Sequence, residues 1–353
     1  MLPLEKAPAE ICIVRLSALG DVSHAVPVLR AIQNQWPQTN VTWICATLEH
    51  RLLSILDGVT FHVLDKKSGL RGYRQLKRDL AGKRFDVMLQ MQTSTRANLT
   101  GACVKADIKL GWDEDRAREF HQKFMTHAIP AVPFEHQVQG HLSFARTIGL
   151  DADEPVWDFP VGEAELAFAA EVMPEGQRTL IISPSSSHPA RNWRAERYAT
   201  VADHAAQSLG MTIVLSGGPS EAEQAIGKTI EQAMATPVVN MIGKDTLPQL
   251  LAMVQRADVV LTPDSGPAHL ANAMGTPVVG LHASTWSRRS GPYHSLHLCV
   301  DKFAEAARKF RDREPEELRW GTRIEEQGVM DLIKVSEVID RIEAAVRQPR
   351  EEC

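Results

Sequence analysis

Residues 258–281 read DVVLTPDSGPAHLANAMGTPVVGL, and this stretch decides the fold class. A short apolar run at 258–261 leads into a polar loop, a helical segment of small and apolar residues, and a second apolar run that begins at Pro277. Near-continuous apolar runs that are separated by helices indicate parallel strands with both faces covered. The stretch therefore predicts an α/β unit with a parallel sheet.

The same alternation occurs twice along the chain. Two such series predict two doubly wound, Rossmann-like domains that face each other across a cleft. We place the first domain at 1–160 and the second at 175–330, with a linker between Gly149 and Gly176. Apolar spacing at 335–347 predicts a last helix, and we expect the segment 331–353 to cross back to the first domain. The predicted strands are 11–16, 41–46, 59–64 and 85–90, then 179–183, 211–216, 237–242, 257–262 and 277–282.

Composition excludes several classes of protein. The 353 residues include 44 acidic and 39 basic side chains, and the resulting net charge of −5 argues against a nucleic-acid-binding protein. The five cysteines form no C-x-x-C pair, as expected of free thiols in a reducing compartment. The longest stretch without Asp, Glu, Lys or Arg, 265–287, holds too many polar groups for a membrane span. We therefore expect a soluble, cytoplasmic protein.

The helix predicted after residue 261 begins with the strongest functional signal. Asp264 or Ser265 can cap this helix, and Gly266 allows a ligand to approach the backbone closely. The N–H groups at a helix start are suited to a diphosphate, and His269 falls near the same opening. A capped helix in a Rossmann-like unit is the alternative interpretation, but the presence of His269 near the helix start favours a binding site.

Two more polar loops leave predicted strands of the second series. Residues 184–193, PSSSHPARNW, offer hydroxyls and the guanidinium of Arg191, both suited to phosphate oxygens. Residues 216–221, SGGPSE, could hold a ribose through the carboxylate of Glu221, although the G-x-G-x-x-G pattern is absent. Ordinary surface turns explain both compositions as an alternative.

Asp21 follows the first predicted strand, at the start of a helical pattern that we place at about 23–35. A lone Asp at such a position is most often a helix N-cap. The functional alternative is a general base, which takes a proton from an acceptor hydroxyl while that oxygen attacks an electrophile held by the other domain.

Positive charge is concentrated in one stretch of the first domain. Residues 66–84 contain eight basic residues and one acid, an excess of seven charges in a protein of net charge −5. A solvated helix face is the usual explanation, but a phosphorylated or anionic-membrane partner would require such an excess. A second stretch, 105–123, places Arg116 and Arg118 after Trp112.

Motifs of several enzyme classes are missing. H-E-x-x-H, G-x-S-x-G and G-x-x-x-x-G-K-[ST] do not occur, which disfavours zincins, serine hydrolases and P-loop enzymes. The D-x-D strings at 113–115 and 151–153 could in principle bind a divalent ion. Neither follows a buried strand and both lie in polar stretches, so we expect surface charge there and no metal site.

Two of these stretches resemble the signatures of glycosyltransferase family 9, the heptosyltransferases. Residues 264–273, DSGPAHLANA, with Gly291-Pro292-Tyr293 downstream, resemble the C-terminal signature, and residues 13–22, IVRLSALGDV, resemble the N-terminal one. Order and spacing match from about residue 10 to residue 346. The resemblance implies a GT-B fold, in which the N-terminal domain binds the acceptor and the C-terminal domain binds the nucleotide sugar.

The resemblance also implies a reaction. It is the inverting, metal-independent transfer of L-glycero-D-manno-heptose from ADP-heptose to the inner core of lipopolysaccharide, either on Kdo-lipid A or on the first heptose. Asp21 would be the catalytic base, and no metal or other cofactor is expected. The residues that match the family's donor-binding pattern are Ser186, Ser187, Arg191, Glu221, Asp264, Ser265, Gly266 and His269.

The basic residues then have an expected role, which is to contact phosphates and carboxylates of the acceptor lipid at the cytoplasmic face of the inner membrane. Two alternatives stay open: a GT-B transferase that uses another sugar nucleotide, and a catalytically silent, lipid-A-binding accessory protein. The missing G-x-G-x-x-G disfavours a nicotinamide-dependent enzyme. The expected acceptor-binding residues are Arg71, Arg74, Lys77, Arg78, Arg116 and Arg118.

Overall fold

The computed structural model describes residues 2–347 and divides into two compact units, Met1–Pro160 and Val161–Cys353. Each unit contains a six-stranded sheet in which every strand pair is parallel. Helices connect the strands, as parallel pairing requires. The predicted α/β class with two Rossmann-like units is thereby confirmed.

The sheet of the first unit has the strand order β3-β2-β1-β4-β5-β6. Its strands are β1 (Glu10–Val14), β2 (Asn40–Ala46), β3 (Val59–Leu64), β4 (Phe85–Gln90), β5 (Ala106–Gly111) and β6 (His127–Ala128). Its helices are α1 (Leu19–Gln35), α2 (Thr47–Leu53), α3 (Gly69–Asp79), α4 (Thr95–Ala102) and α5 (Gln137–Ile148). This order reverses direction between β1 and β4, where doubly wound sheets open a crevice for ligands.

The second unit repeats this topology in the order β12-β11-β10-β7-β8-β9, so that its direction reverses between β7 and β10. Its strands are β7 (Thr179–Ile182), β8 (Thr212–Leu215), β9 (Val239–Asn240), β10 (Val259–Pro263), β11 (Val278–His282) and β12 (Val300–Asp301). Its helices are α6 (Glu163–Val172), α7 (Ala195–Leu209), α8 (Glu221–Ala233), α9 (Leu247–Arg256), α10 (Gly266–Ala273), α11 (Ser287–Ser290), α12 (Phe303–Arg311) and α13 (Val335–Arg347).

Each of the nine predicted strands matches an observed strand to within two residues at either end. Ile11, Ile13 and Val14 of β1 have no exposed surface, which explains why this strand reads as an unbroken apolar run. The prediction missed β5, β6 and β12. The sequence of β5 contains Asp107 and Lys109, and the other two strands have two residues each, so that none shows an apolar run.

The segment predicted as a linker contains a helix. Residues 163–172 form α6, which packs on α9 within the second unit. Seven of its ten residues are Ala or Glu, both strong helix formers, and no strand signal was available to reveal an element of the second unit.

The last helix differs from its predicted placement. We expected 331–353 to cross back to the first domain, but α13 packs on α7 and β11 of the second unit. Val338, Ile342 and Ala345 are 0%, 1% and 2% exposed in the core of that unit, which buries the predicted apolar stripe. Residues 348–353 of the predicted segment lie outside the described residues.

Within residues 2–347, no helix combines the length and the apolar character that a membrane crossing needs.

Replacement of Ile342 by alanine tests the packing of α13 on the second unit. Because Ile342 is 1% exposed, the cavity should lower the free energy of unfolding by about 2–5 kcal/mol. Urea denaturation followed by tryptophan fluorescence measures this change. Asp340→Ala, on the exposed face of the same helix, is the control and should change stability by no more than about 0.5 kcal/mol. Equally small effects of both substitutions would contradict the packing.

Candidate functional site

The first candidate site lies at the switch point of the first sheet, where β1 and β4 end side by side. Asp21 is the third residue of α1, and Ala18 occupies the N-cap position of that helix. The carboxylate of Asp21 is 29% exposed, so a ligand can reach it. Because Ala18 is the N-cap residue, the alternative interpretation of Asp21 as the N-cap is wrong. The Asp21 carboxylate nevertheless accepts the N–H of Ala18 at 3.2 Å.

Both oxygens of the Asp21 carboxylate are held by donors from separate parts of the first unit. Arg15 Nη2, at the end of β1, lies 2.7 Å from Oδ2. Gln137 Nε2, at the start of α5, lies 2.7 Å from Oδ1. An adjacent guanidinium favours the ionised form of a carboxylate, which is the form a general base requires.

Gln92, which follows β4, ties the Asp21 loop to the neighbouring strand end. Its Oε1 accepts the backbone N–H of Leu16 at 2.8 Å and that of Ser17 at 3.3 Å. Arg15 Nη1 donates to the carbonyl oxygen of Met91 in the same region. The loop is therefore fixed across the switch point, as a catalytic group needs if its orientation is to be kept.

Behind Asp21, His141 of α5 is completely buried. Desolvation by burial, with help from the positive charge of Arg15, lowers the pKa of His141 to about 3, so its imidazole is neutral at physiological pH. Its Nδ1 lies 2.8 Å from the carbonyl oxygen of Gln137, and its ring packs edge-on against Trp112 at 5.3 Å between centroids. His141 thus supports the backbone of Gln137 and does not titrate near neutrality.

The basic stretch of the first unit forms an exposed helix face on α3. Leu76 of this helix is buried, whereas the four predicted acceptor-binding residues of α3 are exposed. Leu70, the second residue of α3, is 73% exposed. An amphipathic helix with basic and apolar side chains at its surface is suited to anionic lipid. The four residues are Arg71, Arg74, Lys77 and Arg78.

The two other predicted acceptor-binding residues differ in their surroundings. Arg116 stacks on Trp112 at 4.9 Å and pairs with Asp113 and with Glu135, the latter at 2.5 Å. Because these partners occupy its guanidinium, the structure gives Arg116 a role within the unit. Arg118 is exposed.

The D-x-D string at 113–115 begins with a residue that is less exposed than we predicted. We expected surface charge there, and Glu114 and Asp115 are exposed, but Asp113, two residues after β5, is only 4% exposed. The carboxylate of Asp113 is committed to the Arg116 ion pair. Among residues 2–347, no group of three or more His, Cys, Asp and Glu side chains is arranged to hold a metal ion.

The second candidate site lies at the switch point of the second sheet, where β7 and β10 end side by side. Helix α10 begins at Gly266, and its N-cap residue Ser265 makes no side-chain capping hydrogen bond. The Ser265 hydroxyl instead lies 2.8 Å from Thr262 Oγ1. A helix start without a side-chain cap offers its backbone N–H groups and its positive dipole end to an anion.

Asp264 and His269 form a pair at this helix start. His269 Nε2 lies 3.7 Å from Asp264 Oδ1, and Ser290 Oγ lies 3.3 Å from Oδ2. Burial alone would raise the pKa of Asp264, but the adjacent His269 and His282 imidazoles hold it well below its usual range. Asp264 therefore stays ionised and orients the His269 ring, which lies in the second turn of α10.

The loop after β7 lies at the same sheet edge and is folded on itself. The N–H of Ser186 donates to Asn192 Oδ1 at 2.7 Å, and its hydroxyl donates to the carbonyl oxygen of His188 at 2.9 Å. Ser187 is exposed. Arg191 is 8% exposed and lies 3.1 Å from Glu325 Oε1, a carboxylate that the sequence did not reveal.

The glycine loop after β8 is hydrogen-bonded by an acidic residue, Glu223, that we did not predict. Glu223 Oε1 accepts the N–H of Gly218 at 2.9 Å, and Ser220 caps α8. Glu221 is the first residue of α8 and is exposed. The geometry thus gives Glu223 the task of shaping this loop, while a ribose contact by Glu221 stays a prediction.

Most of the predicted donor-binding residues follow β7 and β10, which are neighbours in the sheet. Glu221 follows β8, which lies on the other side of β7. Sequence reasoning missed Arg15, although it stands inside the quoted motif at 13–22. It also missed Gln137, which lies 116 residues from its partner and in no motif. Only the folded chain could have revealed that contact.

Comparison with known proteins identifies the family of this chain. A model of glycosyltransferase family 9 (heptosyltransferase) matches residues 73–319. The lipopolysaccharide core heptosyltransferase OpsX of Haemophilus influenzae is 37% identical over 337 residues, which cover 96% of this chain and 97% of that protein.

Solved structures of similar proteins share the fold. The glycosyl transferase family 9 protein of Veillonella parvula superimposes with a TM-score of 0.78 at 21% identity and covers 98% of both chains. The ADP-heptose lps heptosyltransferase II of Escherichia coli gives a TM-score of 0.70 at 18% identity, over 96% of this chain and 98% of that one. Together with the sequence identity to OpsX and the family match, these likenesses establish that the chain is a glycosyltransferase with the GT-B fold and belongs to glycosyltransferase family 9, the heptosyltransferases.

Proposed function

We propose that this enzyme transfers L-glycero-D-manno-heptose from ADP-heptose to the inner core of lipopolysaccharide, with inversion and without a metal ion. Family membership and the similarity to the core heptosyltransferase of Haemophilus influenzae support the reaction class. The similarity to the ADP-heptose lps heptosyltransferase II of E. coli supports ADP-heptose as donor. The observation on this chain that carries the proposal is the start of α10, without a side-chain cap and flanked by His269.

In the proposed reaction, an acceptor hydroxyl of the inner core attacks the anomeric carbon of the donor heptose. Asp21 takes the hydroxyl proton, a new C–O bond forms, and the bond from the anomeric carbon to the β-phosphate oxygen breaks. ADP leaves with the electron pair of that bond. Because attack and departure occur on opposite faces of the carbon, a single displacement inverts its configuration.

The departing ADP gains negative charge in the transition state and needs positive partners. The backbone N–H groups of Ser265 and Gly266, the dipole of α10 and the His269 imidazole would supply them in place of a cation. The loop after β7 would add the hydroxyls of Ser186 and Ser187. Arg191 would reach the phosphates only by sharing or exchanging its Glu325 partner.

The acceptor would be bound by the exposed basic face of α3. Lipopolysaccharide precursors carry phosphates and carboxylates, for which guanidinium and ammonium groups are suitable partners. The exposed Leu70 beside this face supports a peripheral contact with the cytoplasmic face of the inner membrane, where anionic lipid attracts basic helices.

Transfer assays with purified protein test the donor and the metal independence together. We expect heptose transfer from ADP-heptose to Kdo-lipid A or to its mono-heptosylated form, with the same rate in the presence of EDTA. Other sugar nucleotides should give no product at equal concentration. Transfer from a different sugar nucleotide would overturn the donor, and turnover that EDTA abolishes would overturn the metal-free scheme.

Asp21→Asn is the control that separates an enzyme from a silent binding protein. The amide cannot accept the proton, so turnover should fall by at least about 10²-fold, the lower end for loss of a general base. Binding of ADP, measured by calorimetry, should be unchanged. An active Asp21→Asn enzyme would remove Asp21 from the mechanism.

Replacement of the four basic residues of α3 by glutamine tests the acceptor surface. We expect the KM for the acceptor to rise by about tenfold or more, because each lost contact to a charged group removes about 1 kcal/mol or more, while the KM for ADP-heptose stays unchanged. Steady-state kinetics with each substrate varied in turn measure both constants. The variant is Arg71→Gln, Arg74→Gln, Lys77→Gln and Arg78→Gln combined.

The matched control makes the same change of charge on exposed residues of the second unit. It should leave both KM values at the wild-type level. An acceptor KM that is the same in both variants would contradict the assignment of α3. The control combines Lys228→Gln, Arg313→Gln, Lys334→Gln and Arg341→Gln, all at exposed positions.

A further inference from the structure

The Asp21 carboxylate is fixed asymmetrically. Oδ2 receives the Arg15 guanidinium at 2.7 Å and the Ala18 N–H at 3.2 Å, both from the segment that connects β1 to α1. Oδ1 receives Gln137 Nε2 at 2.7 Å, from a helix that lies more than a hundred residues later in the chain. Contacts to Oδ2 alone leave the carboxylate plane free to turn about its bond to Cβ, so the second anchor defines that plane.

Gln137 is itself held in place. It is the first residue of α5, and the preceding His136 caps this helix by accepting the N–H of Val138 at 3.2 Å. Its carbonyl oxygen lies 2.8 Å from Nδ1 of the buried His141. His141 packs against Trp112 and lies 5.8 Å from the ring of His24. The backbone that carries the Gln137 amide is therefore anchored on both sides.

We propose that Gln137 is a positioning residue for the proposed transfer reaction, which orients the Asp21 carboxylate toward the acceptor hydroxyl and keeps it ionised through its hydrogen bond to Oδ1. This inference rests on the proposed function, because it assigns a partner to the base of that reaction. A donated hydrogen bond stabilises the charged form of a carboxylate over the protonated form. A fixed plane also keeps the accepting oxygen within reach of the proton.

The other groups around Asp21 do not replace this contact. Arg15 supplies the nearest positive charge and acts on the other oxygen. His141 is neutral near physiological pH, since burial lowers its pKa to about 3, and it contacts Gln137 through its backbone. His24, on α1, faces His141, and Arg116 lies beyond Trp112. The Gln137 amide donates to Oδ1, whereas Arg15 and the Ala18 N–H contact Oδ2.

Two substitutions that disfavour the ionised form of Asp21 to different degrees test the proposal. Gln137→Met keeps the length of the side chain and removes the donor, and Gln137→Glu places a second carboxylate against Asp21. Both make the ionised form of Asp21 less favourable, so the midpoint of the acidic limb of the kcat/KM profile should rise. We expect a rise of about one pH unit for Gln137→Met and a larger rise, of about two units, for Gln137→Glu. At the plateau, kcat of Gln137→Met should fall roughly tenfold with an unchanged acceptor KM.

Gln139→Met is the matched control, since Gln139 lies two residues further along α5 and donates to the carbonyl oxygen of Asp153 at 2.9 Å. It should keep the wild-type midpoint and kcat. A purely structural role of Gln137 would lower activity and the melting temperature with an unchanged midpoint, and this result would overturn the proposal. A rise of the acceptor KM alone would also overturn it, because it would make Gln137 a substrate contact.

The Asp21→Asn enzyme separates this inference from the proposed function. If Asp21→Asn is inactive and the Gln137 variants keep the wild-type midpoint, Asp21 remains the base and only the role of Gln137 is lost. If Asp21→Asn remains active, the assignment of the base fails, and the inference fails with it.

Discussion

All strands of a parallel sheet end at the same edge, and this constraint governs both candidate sites. In each unit the strand order reverses once, so that two neighbouring loops leave the sheet in opposite directions and open a crevice. The first unit places Asp21 and Gln92 there, after β1 and β4. The second unit places the Arg191 loop and the start of α10 there, after β7 and β10. Polar residues that are far apart in sequence become neighbours for this reason.

The two sites have different electrostatic tasks. In the proposed reaction, the Asp21 carboxylate of the first unit would have to be ionised, oriented and reachable. Its contacts to Arg15 and Gln137 favour the first two conditions, and its 29% exposure favours the third. In the second unit the proposed ADP leaving group, which gains a negative charge on departure, would need positive partners. The ionised Asp264 side chain is only 14% exposed there, and its contacts to His269 and Ser290 offset the cost of this partial desolvation. A histidine that is oriented by a carboxylate and adjoins a helix start is a suitable partner for phosphate.

Much of this could be predicted from the sequence, because the informative signals were local. Strands β3 and β4 have the predicted bounds, and the largely buried β4 reads as an apolar run whatever surrounds it. The α10 segment could be recognised from Asp264, Gly266 and His269, which stand close together at the start of the helix. A capping position, a close backbone approach and a histidine together are a pattern that one turn of chain can encode.

Features that depend on tertiary contacts could not be predicted in this way. Gln137 and Glu325 carry no local signature, because their partners are more than a hundred residues away. Glu221 and Glu223 both lie in the first turn of α8, and only the fold shows that Glu223 turns back to Gly218. The apolar stripe of α13 was visible, but its spacing does not say which core it enters.

A crystal structure of the enzyme with ADP tests the central claim, that backbone amides at the start of α10 bind the nucleotide diphosphate without a cation. The account predicts phosphate oxygens within about 2.7–3.2 Å of the Ser265 or Gly266 nitrogen, with His269 at the same diphosphate and no metal between them. A diphosphate bound away from the α10 start, or bridged to the protein by a divalent ion, would contradict it.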